Sequence, residues 1–305
     1  MKNPKSIVLF SGGLDSRITL KIMQEQTNPL AIFFKLPFGA GCGDSDKNIK
    51  KFCKQQKIKL KIFDCTKGKL LQEYLNTIRK PKYKRGTAMN PCIDCKSFMF
   101  KKAGEYAKKK KIEIIATGEV LGQRPMSQMK KSMRIIEENS SLQEKILRPL
   151  SAKLLPEIEV EKEKLIDREK FFSIEGRQRT KQMQLAEHYK ISYPTPAGGC
   201  ILCEKFLKNR FKQLLSRELN KNSVKFLSIG RHFLINDSWI ILGRNEKESK
   251  ILEKTKVGKL IIPKFSAPSA RYLGKIKKEK VWELIKTYSN QEPIEKRKKF
   301  EEFRL

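Results

Sequence analysis

The sequence predicts an α/β protein in which a doubly wound parallel sheet is followed by a smaller C-terminal α+β domain. Short apolar runs alternate with helical patterns from Ser6 to Thr117, which is typical of a parallel sheet. The 305 residues are enough for about two domains. The pattern also changes between Cys203 and Asn222, so we place the domains at 1–205 and 206–305.

The predicted elements of the first half are strands over 6–10, 31–34, 59–63 and 113–117, with helices over 17–26, 48–56, 70–78 and 98–110. The second half predicts helices over 160–173 and 180–188, strands over 238–242 and 260–262, and a basic helical end from residue 275. Strands that alternate with helices build βαβ units, and ligands bind at the carboxyl ends of such strands.

The charge of the chain is strongly positive, because 67 Lys and Arg face 33 Asp and Glu and leave a net charge of +34. Such a field attracts polyanions, so nucleic acid is the first partner we expect and an anionic membrane the second. A Lys-biased, AT-rich genome would produce the same excess. No apolar stretch approaches the ~20 residues of a membrane span, and the N-terminus does not read as a signal peptide. With seven cysteines, these features predict a reducing, cytoplasmic location.

A glycine-rich turn, Ser11-Gly12-Gly13-Leu14-Asp15-Ser16, joins the first strand to the first helix. Glycines permit a close approach of backbone N–H groups to a ligand, and a helix N-terminus favours phosphate. The two serines add hydroxyl donors, and the carboxylate of Asp15 suits a Mg²⁺ ion that bridges phosphates. No Gly-Lys-Ser/Thr follows, so the turn is a phosphate-binding loop other than Walker A.

The turn resembles the phosphate loop of the PP-loop ATP pyrophosphatases, which cleave ATP between its α and β phosphates and adenylate a substrate oxygen. The resemblance implies the fold of the adenine nucleotide alpha hydrolases and the cofactors ATP and Mg²⁺. It implies that the end of the second strand, near Phe33, receives the adenine. The phosphates would be bound by Ser11, Gly12, Gly13, Leu14, Asp15 and Ser16.

Two further strings resemble the tRNA thiouridine synthetases, and the resemblance spans about residues 5 to 200. The string 116–128 (ATGEVLGQRPMSQ), followed by Leu-Arg-Pro-Leu at 147–150, is similar to the 4-thiouridine synthetase signature, which implies Gly118 and Gln123 beside the nucleotide. The string 90–96 (NPCIDCK) resembles the catalytic-cysteine segment of the tRNA 2-thiouridylases. The usual 4-thiouridine synthetase has an N-terminal RNA-capturing region, and many members carry a rhodanese domain. We expect this chain to capture RNA and receive sulfur in another way.

Two C-x-x-C pairs, Cys92/Cys95 and Cys200/Cys203, predict a metal or cluster site. Thiolates suit structural zinc and iron–sulfur clusters alike. Resemblance to the cluster-dependent tRNA thiolation enzymes implies that Cys92, Cys95 and Cys200 are catalytic and hold a [4Fe–4S] cluster with one iron open for hydrosulfide. Zinc, and a thiol or persulfide mechanism without metal, stay open, as does Cys203 as a fourth ligand.

The remaining cysteines and the two histidines fit no such pattern. Cys42, Cys53 and Cys65 are single residues, which favours packing or loop positions. His188 and His232 have neither metal-ligand nor catalytic spacing, so we predict no catalytic role for them.

The C-terminal region resembles, over about sixty residues, an RNA-binding module of a ribosome-associated fibronectin-binding-like family. The strings that carry this resemblance are 224–233 (VKFLSIGRHF) and 240–246 (IILGRNE). Independently, Arg231, His232, Phe233 and Arg244 place cationic and aromatic groups on strand-like segments, which predicts base stacking and phosphate contact. An ordinary β-rich domain with solvated lysines is the alternative.

These features together predict an ATP-dependent tRNA uridine thiolase, with 4-thiouridine favoured as the product. Transfer of sulfur to the wobble uridine, giving 2-thiouridine, is one alternative. A non-catalytic, zinc-containing RNA-binding protein is another, although the intact Asp15 and both serines of the loop argue against a decayed site. The expected partners are tRNA and a sulfur donor, either hydrosulfide or a persulfide carrier.

Overall fold

The computed structural model describes residues 3–39, 46–194, 200–217 and 219–305. The chain divides into two compact units, Met1–Cys203 and Glu204–Leu305. The first unit contains five strands: β1 (Lys5–Leu9), β2 (Asn28–Lys35), β3 (Lys59–Asp64), β4 (Ile114–Thr117) and β5 (Ile146–Leu147). Its helices are α1 (Leu14–Gln26), α2 (Asp46–Gln55), α3 (Gly68–Arg79), α4 (Cys92–Lys110), α5 (Lys130–Ser140), α6 (Glu159–Lys162) and α7 (Thr180–His188).

The five strands form one sheet in the order β3-β2-β1-β4-β5, and every neighbouring pair is parallel. The chain passes from β1 to β2 on one side and returns to β4 on the other side, which makes the β1/β4 boundary the switch point of a doubly wound sheet. Ligands bind in the crevice at the carboxyl ends of strands at such a point. The predicted fold class is therefore confirmed, and the glycine-rich turn lies at the switch point.

One predicted helix of this unit is wrong. Residues 160–173 were expected to be helical, but helix α6 ends at Lys162 and only a short 3-10 turn follows at Arg168–Lys170. Lys164 adopts a left-handed conformation (φ +56°), which stops the helix. The apolar residues that suggested a helix, such as Ile166 and Phe171, are instead buried in the core from irregular backbone.

Two other helices were missed in part or completely. Helix α4 begins at Cys92, six residues before the predicted start at Phe98, because Pro91 fills its N-cap position and Asp94 lies in its first turn. Helix α5 was not predicted at all. Its buried side chains, Met133 and Ile136, are too few to give a strong helical pattern.

The second unit contains a four-stranded antiparallel sheet in the order β6-β7-β9-β8. Its strands are β6 (Arg231–Ile235), β7 (Ser238–Leu242), β8 (Lys259–Ile261) and β9 (Ala270–Leu273), and its helices are α8 (Lys208–Ser216), α9 (Glu246–Lys254) and α10 (Lys278–Thr287). Asn236 and Asp237 both have positive φ, so they form the tight turn typical of a two-residue hairpin between β6 and β7.

The predicted stacking residues of this unit are wrong in part. The side chains of His232 and Phe233 are completely buried, so neither can stack on a base. His232 accepts a hydrogen bond from Trp239 Nε1 (3.0 Å), and its Nε2 lies 2.7 Å from the carbonyl oxygen of Ile229. Because its environment is apolar, burial lowers the pKa of His232 to about 3 and keeps the ring neutral. His232 is thus a core residue, in line with the absence of a predicted catalytic role.

In the parts of the chain that the structure describes, no helix is both long enough and apolar enough to cross a lipid bilayer.

Candidate active site

The phosphate loop has an open helix N-terminus. Gly12 has φ +85°, a conformation that glycine adopts without strain. Gly13 is the N-cap of α1 and has no side chain that could accept a hydrogen bond from the first turn, which leaves backbone N–H donors for a ligand. The hydroxyl of Ser16 donates to the carbonyl of Gly13 (2.9 Å), and that of Ser11 donates to Ser16 Oγ (3.3 Å).

Asp15 lies at the start of α1 and faces a cavity at the switch point. Gln123 Nε2 donates to Asp15 Oδ2 (2.9 Å), whereas the buried Oδ1 has no hydrogen-bond partner among the described residues. Burial raises the pKa of Asp15 and outweighs the opposing effects of Gln123 and of the cations Arg179 and Arg124. A buried carboxylate oxygen without a partner costs free energy, and a divalent cation would relieve that cost. The loop therefore fits Mg²⁺ as well as phosphate.

Gly118 brings the end of β4 against the phosphate loop. A Cβ atom on Gly118 would lie 2.7 Å from the backbone nitrogen of Ser16 and 2.8 Å from the carbonyl carbon and oxygen of Asp15. Only glycine therefore permits this approach. The close packing of residue 118 against the phosphate loop explains why it is glycine. The sequence string alone did not provide this explanation.

The loop that follows β4 is held rigidly, and it places Gln123. Gly122 N donates to Gln128 O (2.7 Å), and Leu121 N donates to Ser151 Oγ (3.0 Å). Ser151 Oγ in turn donates to Ile174 O (2.6 Å). These bonds tie the predicted signature string to the segment after Leu150, so the two strings, far apart in sequence, lie close together in the fold.

A cavity of about 290 Å³ extends from the phosphate loop to the cysteine pairs. The side chain of Phe33 contributes to its wall from β2, although it is only 2 % exposed. Two arginines that we had not singled out, Arg124 and Arg179, also line it. Arg124 lies inside the signature string and could have been noticed there. Arg179 is far from every motif in sequence, so only the fold reveals it.

The first cysteine pair begins helix α4. Cys92 and Cys95 are three residues apart in its first turn, which puts both thiols on one face. Asn90 Nδ2 donates to Cys92 Sγ (2.9 Å), and the hydroxyl of Tyr74 lies 3.3 Å from Cys95 Sγ. Asp94 accepts backbone hydrogen bonds from the segment before the helix and so fixes its start.

The second cysteine pair meets the first in the same cavity. Cys200 and Cys203 line the cavity together with Cys92 and Cys95. The neighbouring thiol of Cys200, together with burial, raises the pKa of Cys203 to about 11. The thiol of Cys203, together with burial, moves the pKa of Cys92 well above its usual range. Burial raises the pKa of Cys95 to about 12. The six cysteines that the structure describes are free thiols.

The donor set fits a soft metal centre in its chemistry, because four cysteines line one cavity. Among the described residues, no three Cys, His, Asp or Glu side chains form a preassembled ligand group. Cys53 and Cys65 are buried, as their single positions predicted. Cys42 and the Gly198-Gly199 segment before Cys200 lie outside the described residues.

A buried network of charges connects the elements around the cavity. Glu119, the residue after Gly118, pairs with Lys96 of α4 and with Arg148, whose Nε lies 3.1 Å from Glu119 Oε2. Arg148 also pairs with Glu137 of α5. Burial alone would raise the pKa of Glu119, but Lys96 and Arg148 lower it below its usual range. The cysteine helix is therefore tied to the end of β4 by an ion pair between Lys96, which is 19 % exposed, and the buried Glu119.

Comparisons with known proteins add a family. A search of curated proteins found no match. Among solved structures, the U34-tRNA thiolase NcsA from Methanococcus maripaludis with its [4Fe-4S] cluster matches 74 % of this chain and 71 % of its own, at 17 % identity and a TM-score of 0.36. A predicted subunit of a tRNA methyltransferase from Methanocaldococcus jannaschii matches 48 % of this chain and 69 % of its own, at 23 % identity and a TM-score of 0.31.

The family model described as thiamine biosynthesis protein (ThiI) matches residues 2–175. The matched range is more than half of the chain and contains the phosphate loop, the Cys92/Cys95 pair, the string around Gly118 and the Leu-Arg-Pro-Leu segment. The chain therefore belongs to the ThiI family.

Proposed function

We propose that this protein is an ATP-dependent tRNA sulfurtransferase and that its favoured product is 4-thiouridine. The observation that carries the proposal is the shared cavity, because one space is lined by a phosphate-binding loop and by four cysteine thiols. ATP activation and sulfur delivery need such proximity, since an adenylated uracil must meet sulfur before it meets water. Membership of the ThiI family supports the same reaction class.

In the proposed reaction, uracil O4 attacks the α-phosphorus of ATP and the bond to pyrophosphate breaks. The N–H groups at the start of α1 and the hydroxyls of Ser11 and Ser16 would hold the phosphates. Asp15 would bind Mg²⁺ through its unpartnered Oδ1 while Gln123 orients the other oxygen. The aromatic wall at Phe33 would receive the adenine. Hydrosulfide then attacks C4, loses its proton, and displaces AMP by cleavage of the C4–O bond.

Sulfur delivery is assigned to the cysteines of the cavity. Cys92, Cys95 and Cys200 would hold a [4Fe–4S] cluster, and Cys203, which lines the same cavity, would be the candidate for a fourth ligand. A cluster with one iron free of protein ligands would supply a binding site for hydrosulfide. Zinc with four thiolates, or a persulfide on Cys92 or Cys95, would use the same side chains.

The basic C-terminal unit would capture the tRNA. Residues 204–305 contain 26 Lys and Arg against 12 Asp and Glu, so this unit carries a positive charge of its own. Removal of the chain beyond about residue 220 should weaken tRNA binding and flatten its salt dependence, because fewer counterions are released. Unchanged affinity of the truncated protein would instead assign RNA capture to the first unit.

The reaction is tested by Asp15→Asn, which keeps the size of the side chain but removes its charge. Pyrophosphate release should fall to background. The Tm of the ligand-free protein should stay the same or rise, because the folded state no longer contains a buried carboxylate of raised pKa. Asp167→Asn makes the same chemical change on the surface and should retain full activity. Full turnover by Asp15→Asn would contradict the proposed role of the loop.

The product is identified by mass spectrometry of tRNA nucleosides from a deletion strain that carries the wild-type or variant gene. Loss of 4-thiouridine that the wild-type gene restores supports the proposal. Loss of 2-thiouridine instead would reassign the product to the wobble position. Unchanged nucleosides would reject the enzyme and favour a non-catalytic RNA-binding protein.

The metal is tested by anaerobic purification with iron, sulfide and zinc analysis. Replacement of Cys92, Cys95 or Cys200 by Ala should remove bound iron, whereas Cys53→Ala, a buried thiol elsewhere in the unit, should retain it. Cys203→Ala should also retain iron if three cysteines suffice. Loss of iron from Cys203→Ala would indicate four thiolate ligands and would contradict a cluster with an open iron. Zinc in place of iron in every active preparation would reject the cluster.

A further inference from the structure

Two aromatic side chains form an exposed stacked pair on the C-terminal unit. Phe265 lies in the loop between β8 and β9 and is 37 % exposed, and Trp282 lies half-buried on α10. Their ring centroids are 6.3 Å apart and their planes differ by 26°. Ile262, in the same loop, is 53 % exposed. The pair presents apolar aromatic surface to solvent, whereas Phe233, the predicted stacking residue, is completely buried.

Lysines without acidic partners flank this aromatic pair. Lys278 and Lys286 lie four residues before and after Trp282, hence on the same face of α10. Lys264 precedes Phe265 in the loop. All three are exposed, and none forms an ion pair with a carboxylate in the part of the chain that the structure describes. Glu279 and Glu283 also lie near Trp282 on the helix, and Glu283 is paired with Lys280 and Lys299.

The chemistry of this surface matches a nucleobase and its phosphates. An aromatic ring stacks on any base, and unpaired cations contact the flanking phosphates. A base pair in a stem hides the faces of its bases, so the occupant must be an unpaired nucleotide. A lipid surface fits less well, because the other apolar residues of α10, Val281, Leu284 and Ile285, are buried in the core of the unit and cannot insert.

We propose that Phe265 and Trp282 form a stacking platform for an unpaired base of RNA, with Lys264, Lys278 and Lys286 bound to the neighbouring phosphates. The proposal deepens the tRNA-binding role of the C-terminal unit and in that respect rests on the proposed function. It replaces the buried side chains of His232 and Phe233 as the aromatic contact.

Tryptophan fluorescence tests the platform directly in the full-length protein. The chain has two tryptophans, and Trp239 is completely buried, so a base that stacks on Trp282 should quench only the exposed emission. Quenching is expected with tRNA and with a single-stranded oligoribonucleotide, and not with an RNA duplex of equal length. Trp282→Phe should keep the affinity and lose the quenching.

The energetic test is Phe265→Ala and Trp282→Ala. Stacking is worth about 1–3 kcal/mol per base, so each change should weaken single-stranded RNA binding by roughly 5- to 150-fold. Ile294→Ala removes a more exposed apolar side chain (68 %) elsewhere in the unit and should leave the affinity unchanged. Lys264→Gln and Lys286→Gln should each lower the salt slope of binding by about 0.7. The Tm of every variant, followed by circular dichroism, reports the integrity of the fold.

Unchanged affinity of Phe265→Ala, or equal quenching by duplex RNA, would overturn the platform. Tighter binding to phosphatidylserine vesicles than to RNA would overturn it too, and would assign the surface to a membrane. Its failure is distinguishable from that of the proposed function. An enzyme that thiolates tRNA without quenching of Trp282 rejects only the platform, and a protein that stacks RNA but leaves tRNA nucleosides unchanged rejects only the enzyme.

Discussion

Gly118→Ala is expected to disable nucleotide binding while leaving most of the protein folded. The new methyl carbon would lie 2.7 Å from Ser16 N and 2.8 Å from the carbonyl group of Asp15, all of them backbone atoms. Because comfortable contacts between nonbonded heavy atoms begin at about 3.5 Å, β4 and the phosphate loop must separate by about 0.8 Å. No side-chain rotation can relieve this overlap.

The cost of this separation can be estimated. Overpacking of a filled site destabilises a protein by about 1–3 kcal/mol. A displacement of about 1 Å in a group that positions substrate costs on the order of 100-fold in rate. We therefore expect a modest fall in Tm, and a fall of about two orders of magnitude in pyrophosphate release with weaker ATP binding by calorimetry.

Gly68→Ala is the matched control for this variant. Gly68 has φ +61°, so alanine is strained there, but no atom lies within 4 Å of the position that its Cβ would occupy. The control should lose about 1 kcal/mol of stability and keep its activity. Wild-type ATP affinity and turnover in Gly118→Ala would refute the close approach of β4 to the loop.

The remaining predictions concern buried ionisable groups. The pKa of His232 is lowered from 6.5 to about 3, so the unfolded state binds a proton before the folded state does as the pH falls. The free energy of unfolding should therefore drop by about 2 kcal/mol between about pH 7.5 and pH 5, and His232→Gln should flatten this dependence in urea titrations. Stability of the wild type that is independent of pH over this range would contradict a buried neutral ring. Arg148→Met leaves the carboxylates of Glu119 and Glu137 without their shared partner, and should cost about 3–5 kcal/mol in the same assay. A loss below about 1 kcal/mol would mean that the network is hydrated.

Some features followed from the sequence because local chemistry decides them. A buried strand, two glycines and a helix start need no distant partner to form a strand–turn–helix unit, so the turn at residues 11–16 and the parallel sheet were predicted correctly. Phosphate binding by this turn stays a prediction. The strings around Cys92 and Gly118 were recognisable for the same reason, as each is contiguous. The hairpin strand β7 was also predicted, from an uninterrupted apolar run.

Other features depend on contacts between residues far apart in the chain, and only the tertiary structure decided them. Cys203 lines the same cavity as Cys92, and Gln123 donates to Asp15, because the fold brings segments far apart in the chain to the carboxyl ends of the parallel strands. The burial of His232 and Trp282 could not be predicted from the sequence either. Sequence gives the type of a side chain, but its burial depends on which other elements pack over it. That packing buries His232 completely and leaves Trp282 partly exposed.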